Sequence, residues 1–167
     1  MLTRDTQNKL REFLQTLAEG ELSVENFRQR LAQMEEFEPY TSFLRIEKTG
    51  RRVMSAACIE HMLRENNRVQ VSVRDCQYLI KYFDVDGDSS LNYTEFMQMI
   101  LPCDNLRLRS LASQREPRTR PVNGRLPPHV ERMLCDFFER EINLHLDLER
   151  IKADLVARHD WNLRDVF

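Results

Sequence analysis

The sequence predicts an all-α chain, and three observations predict it: only four glycines in 167 residues, long stretches in which apolar residues recur at intervals of three and four, and few alternations of β-branched with polar residues. At 20.0 kDa the chain is long enough for one compact domain with appended helices, or for two small helical units joined by a linker.

Taken in order, residues 1–38 form an N-terminal helical segment. Leu10, Phe13, Leu14 and Leu17 make one apolar face, and Phe27, Leu31 and Met34 make the next. A turn at Gly20 and an N-cap at Ser23 are expected to separate them. Further helices are predicted to start near Ser55, near Ser72 with Asp75 as its capping partner, and near Asn92. Each start offers a side chain that accepts a hydrogen bond from a free backbone N–H.

Residues 104–127 change character to Arg, Ser, Pro and Gly, as in the run Arg115-Glu116-Pro117-Arg118-Thr119-Arg120-Pro121. Such a composition buries too little apolar surface to fold alone, so a basic linker or a wrapped arm is expected. From 128 to 167 the helical signal returns with Met133, Leu134, Phe137, Phe138, Ile142, Leu146, Ile151 and Leu155. This C-terminal block also lies on the N-terminal block at an offset of 124 residues without gaps: Leu10 on Leu134, Phe13 on Phe137, Leu22 on Leu146, Glu25 on Glu149, Arg28 on Lys152, Leu31 on Leu155, Phe37 on Trp161 and Phe43 on Phe167. Either the chain carries the start of a second repeat and belongs to a longer repetitive protein, or two generic amphipathic helices match by chance.

The segment carrying chemistry is Asp84-Val85-Asp86-Gly87-Asp88-Ser89-Ser90-Leu91-Asn92-Tyr93-Thr94-Glu95. Counted from Asp84, oxygen donors stand at positions one, three, five and twelve, so alternate carboxylates in a tight loop point at one centre. Asp84, Asp86 and Asp88 supply three carboxylates, Ser90 a backbone carbonyl, and Glu95 closes the shell from the following helix, with Asn92 acting through a water. That donor set suits a hard cation wanting six to eight oxygens, which makes Ca2+ the expected ligand. Tyr78, Leu79, Ile80 and Phe83 before the loop and Phe96, Met99 and Ile100 after it give two amphipathic flanks. At position six, where glycine permits a positive φ, the chain has Ser89, at a cost on the order of 1 kcal/mol.

Setting Ile46 on Phe83 makes residues 47–58 a second, earlier loop. Its donor positions hold Glu47, Thr49, Arg51 and Cys58, so a cation replaces the central donor and the closing glutamate is missing. No calcium is expected there; instead Met54 and Leu91 are expected to share a short two-strand bridge. On these residues the stretch 39–103 resembles a paired EF-hand unit of the calmodulin and centrin type with a degenerate first hand. The resemblance implies calcium binding and a sensor or adaptor role. Residues 96–109, Phe96 to Arg109, also resemble EF-hand proteins of flagellated and ciliated protists, which implies association with a ciliary, microtubule-based or other cytoskeletal assembly, with calcium structural or dispensable in a scaffold.

Other features point away from catalysis. His61, His129, His145 and His159 share no zinc-enzyme spacing and are expected at the surface or at helix ends. No glycine-rich phosphate loop or nucleophile motif occurs. Cys58, Cys76, Cys103 and Cys135 are scattered, as expected for buried reduced thiols rather than a metal or disulfide set. A formal charge of -2 gives no bulk attraction to nucleic acid or anionic lipid. Arg107, Arg109, Arg115, Arg118, Arg120 and Arg125 make a local basic stretch, either a solvated linker or a grip for an acidic protein or a phosphate backbone; with 21 arginines against four lysines, part of it is compositional, and the lack of aromatics argues against nucleic-acid stacking. No apolar run nears the roughly 20 residues of a membrane helix, so a cytoplasmic location and protein partners are expected. Leu134, Phe137, Phe138 and Ile142 have two expected homes: a core with the N-terminal helices, or the groove of the paired loops as an intramolecular target.

Overall fold

The computed structural model describes residues 1–117 and 124–161; Arg118, Arg120 and Phe167 lie outside them. Seven α-helices and no strand occur among the described residues. They are α1 (Arg4–Gln33), α2 (Pro39–Ile46), α3 (Ala56–Glu65), α4 (Val73–Phe83), α5 (Tyr93–Ile100), α6 (Leu106–Ser113) and α7 (Pro128–Val156). None is long and apolar enough to cross a membrane.

The N-terminal segment is one helix of 30 residues, not two. Gly20 serves packing instead of turning: a Cβ there would lie 2.1 Å from Leu144 Cδ1, so glycine is what lets α1 and α7 approach closely. Ser23 caps nothing; its hydroxyl accepts a hydrogen bond from Arg140 Nε at 2.9 Å. The two long helices run antiparallel, with Lys9 beside Asp154 at 3.3 Å and Asp160 accepting from the Thr3 N–H and the Thr6 hydroxyl, both at 2.7 Å. Their apolar stripes meet through buried Val24, Leu31, Leu134, Phe137, Phe138 and Ile142. The 124-residue offset sets the start of α1 on the start of α7, Arg4 on Pro128, and nearly matches their ends.

Between them lie two helix–loop–helix units, α2–α3 and α4–α5. The starts at Ser55, Ser72 and Asn92 are where the sequence places them: each side chain accepts the N–H three residues on, and Ser72 with Asp75 forms a reciprocal capping box. An antiparallel bridge joins Met54 to Leu91, with N–H···O distances of 2.7 and 2.8 Å, and both side chains are fully buried. Edge-to-face rings of Phe43 with Tyr93 and Phe96 close α2 on α5.

The expected linker is partly helical. Asn105 accepts the Leu108 N–H to start α6, whose Ala112 is buried. Most of the described arginines of this stretch are spent inside the molecule. Arg109 reaches the carbonyls of Leu101 and Pro102, and Arg125 that of Glu65; Arg115 donates to the carbonyls of Ala32, Met34 and Phe37, satisfying groups that the end of α1 leaves open. Too poor in apolar residues to build a core, the described part of this segment is held by carbonyls of its neighbours.

Two further expectations are corrected. His145 is buried in the middle of α7, while His61, His129 and His159 are exposed. Of the cysteines only Cys76 and Cys135 are buried, where burial pushes each thiol up to about 12; Cys58 is half-buried and Cys103 exposed.

Candidate metal centre

Between α4 and α5 the chain turns inside its own carboxylates. Asp84, the C-cap of α4, accepts the N–H groups of Gly87 (2.9 Å), Asp88 (3.3 Å) and Ser89 (2.8 Å). Asp86 accepts from the Asp88 N–H at 3.2 Å, and Asp88 from the Ser90 N–H at 2.9 Å. These bonds need left-handed backbone at two places, Gly87 with φ 74° and Ser89 with φ 66°. The positive φ expected at Ser89 is present on a residue with a Cβ.

Glu95 reaches back from the first turn of α5. One carboxylate oxygen accepts the Val85 N–H at 2.5 Å and the other the Asn92 N–H at 2.9 Å, while the Asn92 side chain caps the Glu95 N–H at 2.8 Å. Asn92 is therefore committed to capping. Glu95 is buried at 4 % exposure, whereas Asp86 and Asp88 stay open to solvent.

One oxygen each from Asp84, Asp86, Asp88 and Glu95 lies within 4.8 Å of the other three, about the width of an oxygen shell around one cation. This is the one such group among the described residues, and these four side chains can hold a metal ion. Ser90 sits between this cluster and the Met54–Leu91 bridge. Electrostatics reflect the crowding. Slight burial raises the Asp84 carboxyl, but N–H donors led by Ser89 outweigh it and hold the group below its ordinary range. Asp86 gains from the Asp88 N–H, yet the facing carboxyls of Asp84 and Asp88 push it up. A cation placed among these groups relieves that repulsion.

The earlier loop repeats the backbone without the donors. Gly50 (φ 74°) and Arg52 (φ 62°) stand where Gly87 and Ser89 stand 37 residues later. The Glu47 carboxylate accepts the N–H and hydroxyl of Thr49 and the Arg52 N–H at 3.2 Å. Burial raises this carboxyl, but those bonds, the Thr49 hydroxyl first, outweigh it and leave it below the ordinary value. In place of Glu95 the loop has Cys58, whose N–H donates to the Ser55 carbonyl at 3.1 Å and to its hydroxyl at 3.4 Å.

A buried polar chain beside the second loop was not anticipated from sequence. Arg28 donates from Nε to the Met99 carbonyl at 2.7 Å and lies 3.6 Å from Glu141, which is fully buried and 3.0 Å from His145 Nε2. The His145 ring rests on Tyr82, with centroids 4.6 Å apart, and meets the edge of Phe83. The available signal was phase: Arg28 falls one turn from Val24 and Leu31, and Glu141 one turn from Phe137 and Phe138, so each is a charge inside an apolar stripe. Comparison of the chain with protein-family models, with characterised proteins and with solved structures returns no match.

Proposed function

We propose that residues 39–103 are a paired EF-hand unit whose Asp84–Glu95 loop binds one calcium ion, and that the chain is a binding module, a sensor or adaptor within a protein assembly, and not an enzyme. The convergence of four carboxylate oxygens within 4.8 Å, on a loop flanked by two helices, supports this reading above all. A carboxylate-rich shell of this width suits an ion bonded at roughly 2.3–2.6 Å. The Ser90 carbonyl adds a neutral donor in the same loop. The 47–58 loop binds no ion, because Arg51 takes the central donor's place and Cys58 that of the closing carboxylate.

A second reading makes the chain a scaffold component of a cytoskeletal or ciliary assembly in the cytoplasm, its calcium structural or dispensable. The observation favouring it is that Leu134, Phe137 and Phe138 of α7 are fully buried and α7 packs chiefly along α1, so these residues belong to a core with the N-terminal helix. Isothermal titration with calcium tests the first reading. One site in the native chain, lost in the Asp84→Ala/Glu95→Ala variant, is expected. Absence of any site in the native chain would overturn it and leave the scaffold.

A further inference from the structure

The polar groups buried between α1 and α7 connect both arms of the candidate metal loop. On the exit side, α1 grips the end of α5: Arg28 takes the Met99 carbonyl, and the Glu25 carboxylate accepts the N–H groups of Cys103 (2.7 Å) and Asp104 (3.1 Å). On the entrance side, the His145 ring of α7 covers Tyr82 and Phe83, the two residues before Asp84. Arg28–Glu141–His145 closes the circuit across the α1–α7 contact. The end of α4 that carries the first ligand, and the far end of the helix whose first turn carries the last, are thus held by one continuous set of contacts.

Burying Arg28 and Glu141, at 4 % and 0 % exposure, is costly, and an apolar pair of similar volume would stabilise at least as well. The arrangement is better explained by what it fixes, which is the position of α4 and α5 relative to each other. The four ligand oxygens are already gathered while the apolar stripe of α7 is fully covered. Ion-ready loop and closed module are therefore one state. Linkage is reciprocal: whatever docking contributes to ion affinity, the ion contributes to docking.

We propose that a divalent cation in the Asp84–Glu95 loop fastens α1 and α7 onto the helix pair, acting as a clasp that tightens the closed module and exposes no apolar groove. The proposal rests on the reading that this loop binds the ion.

Hydrogen exchange of the whole chain, with and without saturating calcium, tests it. Amides of residues 22–31 and 137–148 are expected to slow about tenfold or more with calcium, within the range of typical site–site couplings. Faster exchange in α7, or new binding of a hydrophobic dye on adding calcium, would overturn the clasp. His145→Phe keeps a ring on Tyr82 but loses the bond to Glu141, and Arg28→Met/Glu141→Leu replaces the buried charges by apolar groups. Either variant, with helix content retained by circular dichroism, is expected to bind calcium about five- to tenfold more weakly; unchanged affinity counts against coupling. Should both variants fail to fold, the exchange experiment on the native chain decides. Should titration find no site in the native chain, the metal assignment itself falls. A site lost in Asp84→Ala/Glu95→Ala with unaltered exchange in α1 and α7 overturns the clasp alone.

Discussion

The loops at 47–58 and 84–95 share a backbone and differ in chemistry. Both place positive φ angles at their fourth and sixth positions, both cap their second helix with the ninth residue, and their eighth residues pair with each other. In the first, Glu47 and the Thr49 hydroxyl complete the hydrogen bonding and two arginines face outward; in the second, four carboxylates converge. Backbone shape is thus set by a few turn and cap residues, while the capacity for an ion is set by side chains that leave that shape unchanged. Arg45 and Tyr82 occupy equivalent places two residues ahead of each loop, and both lean on α7. Arg45 pairs with Glu131, at 2.5 Å from Nη2 and 3.0 Å from Nε, whereas Tyr82 stacks on His145. The first unit is anchored to α7 by a buried ion pair, and the second, held by a ring stack, carries the carboxylates that can hold a metal ion.

The largest expected effect tests that division. Arg45→Ala leaves Glu131 buried without its cation and should cost about 3–5 kcal/mol in denaturant unfolding. Tyr82→Ala, which removes a half-exposed ring from a stack, should cost only about 1 kcal/mol. Equal costs would erase the distinction between the units.

Converting the first loop is the next sharpest experiment. Glu47→Asp/Thr49→Asp/Arg51→Asp/Cys58→Glu puts the donors of the second loop on the same backbone. It should create a second calcium site with Kd near 1 mM or tighter, about 4 kcal/mol of new binding free energy. Titration still giving one site would show that the shared φ pattern is not sufficient. A smaller effect is expected where the second loop carries strain: Ser89→Gly relieves a positive φ and should tighten calcium binding about fivefold, about 1 kcal/mol, read by the same titration.

The smallest effect separates the units by acid. Burial raises the Glu65 carboxyl, but its ion pairs with Lys48 and Arg45 outweigh this and bring it down to about 2. A carboxyl depressed in the folded state stabilises above its unfolded value near 4.5 and loses that contribution as pH falls toward 2. The thermal midpoint should therefore drop through this window in the native chain, and less steeply in Glu65→Gln.

Much of this was legible because it is local. The caps at Ser55, Ser72 and Asn92, the φ-demanding position at Ser89, the clustered donors and the Met54–Leu91 register each depend on residues a few places apart, or on a fixed offset between two similar segments. Short-range hydrogen bonding and helical periodicity are enough to place them.

Gly20 shows where that reach stops. Its lack of a side chain signals a turn when only neighbours in sequence are considered, and becomes a close-contact site once Leu144 lies against it. The same holds for Arg115, whose partners are carbonyls some 80 residues earlier, and for Arg28 and Glu141, which become partners only when α1 and α7 pack. By itself the sequence determined the helical class and the loop with its four clustered carboxylates. Tertiary structure decided which glycine is for packing, which arginines are spent internally and which charges are buried, because each depends on the burial and partners that distant segments supply only when they meet.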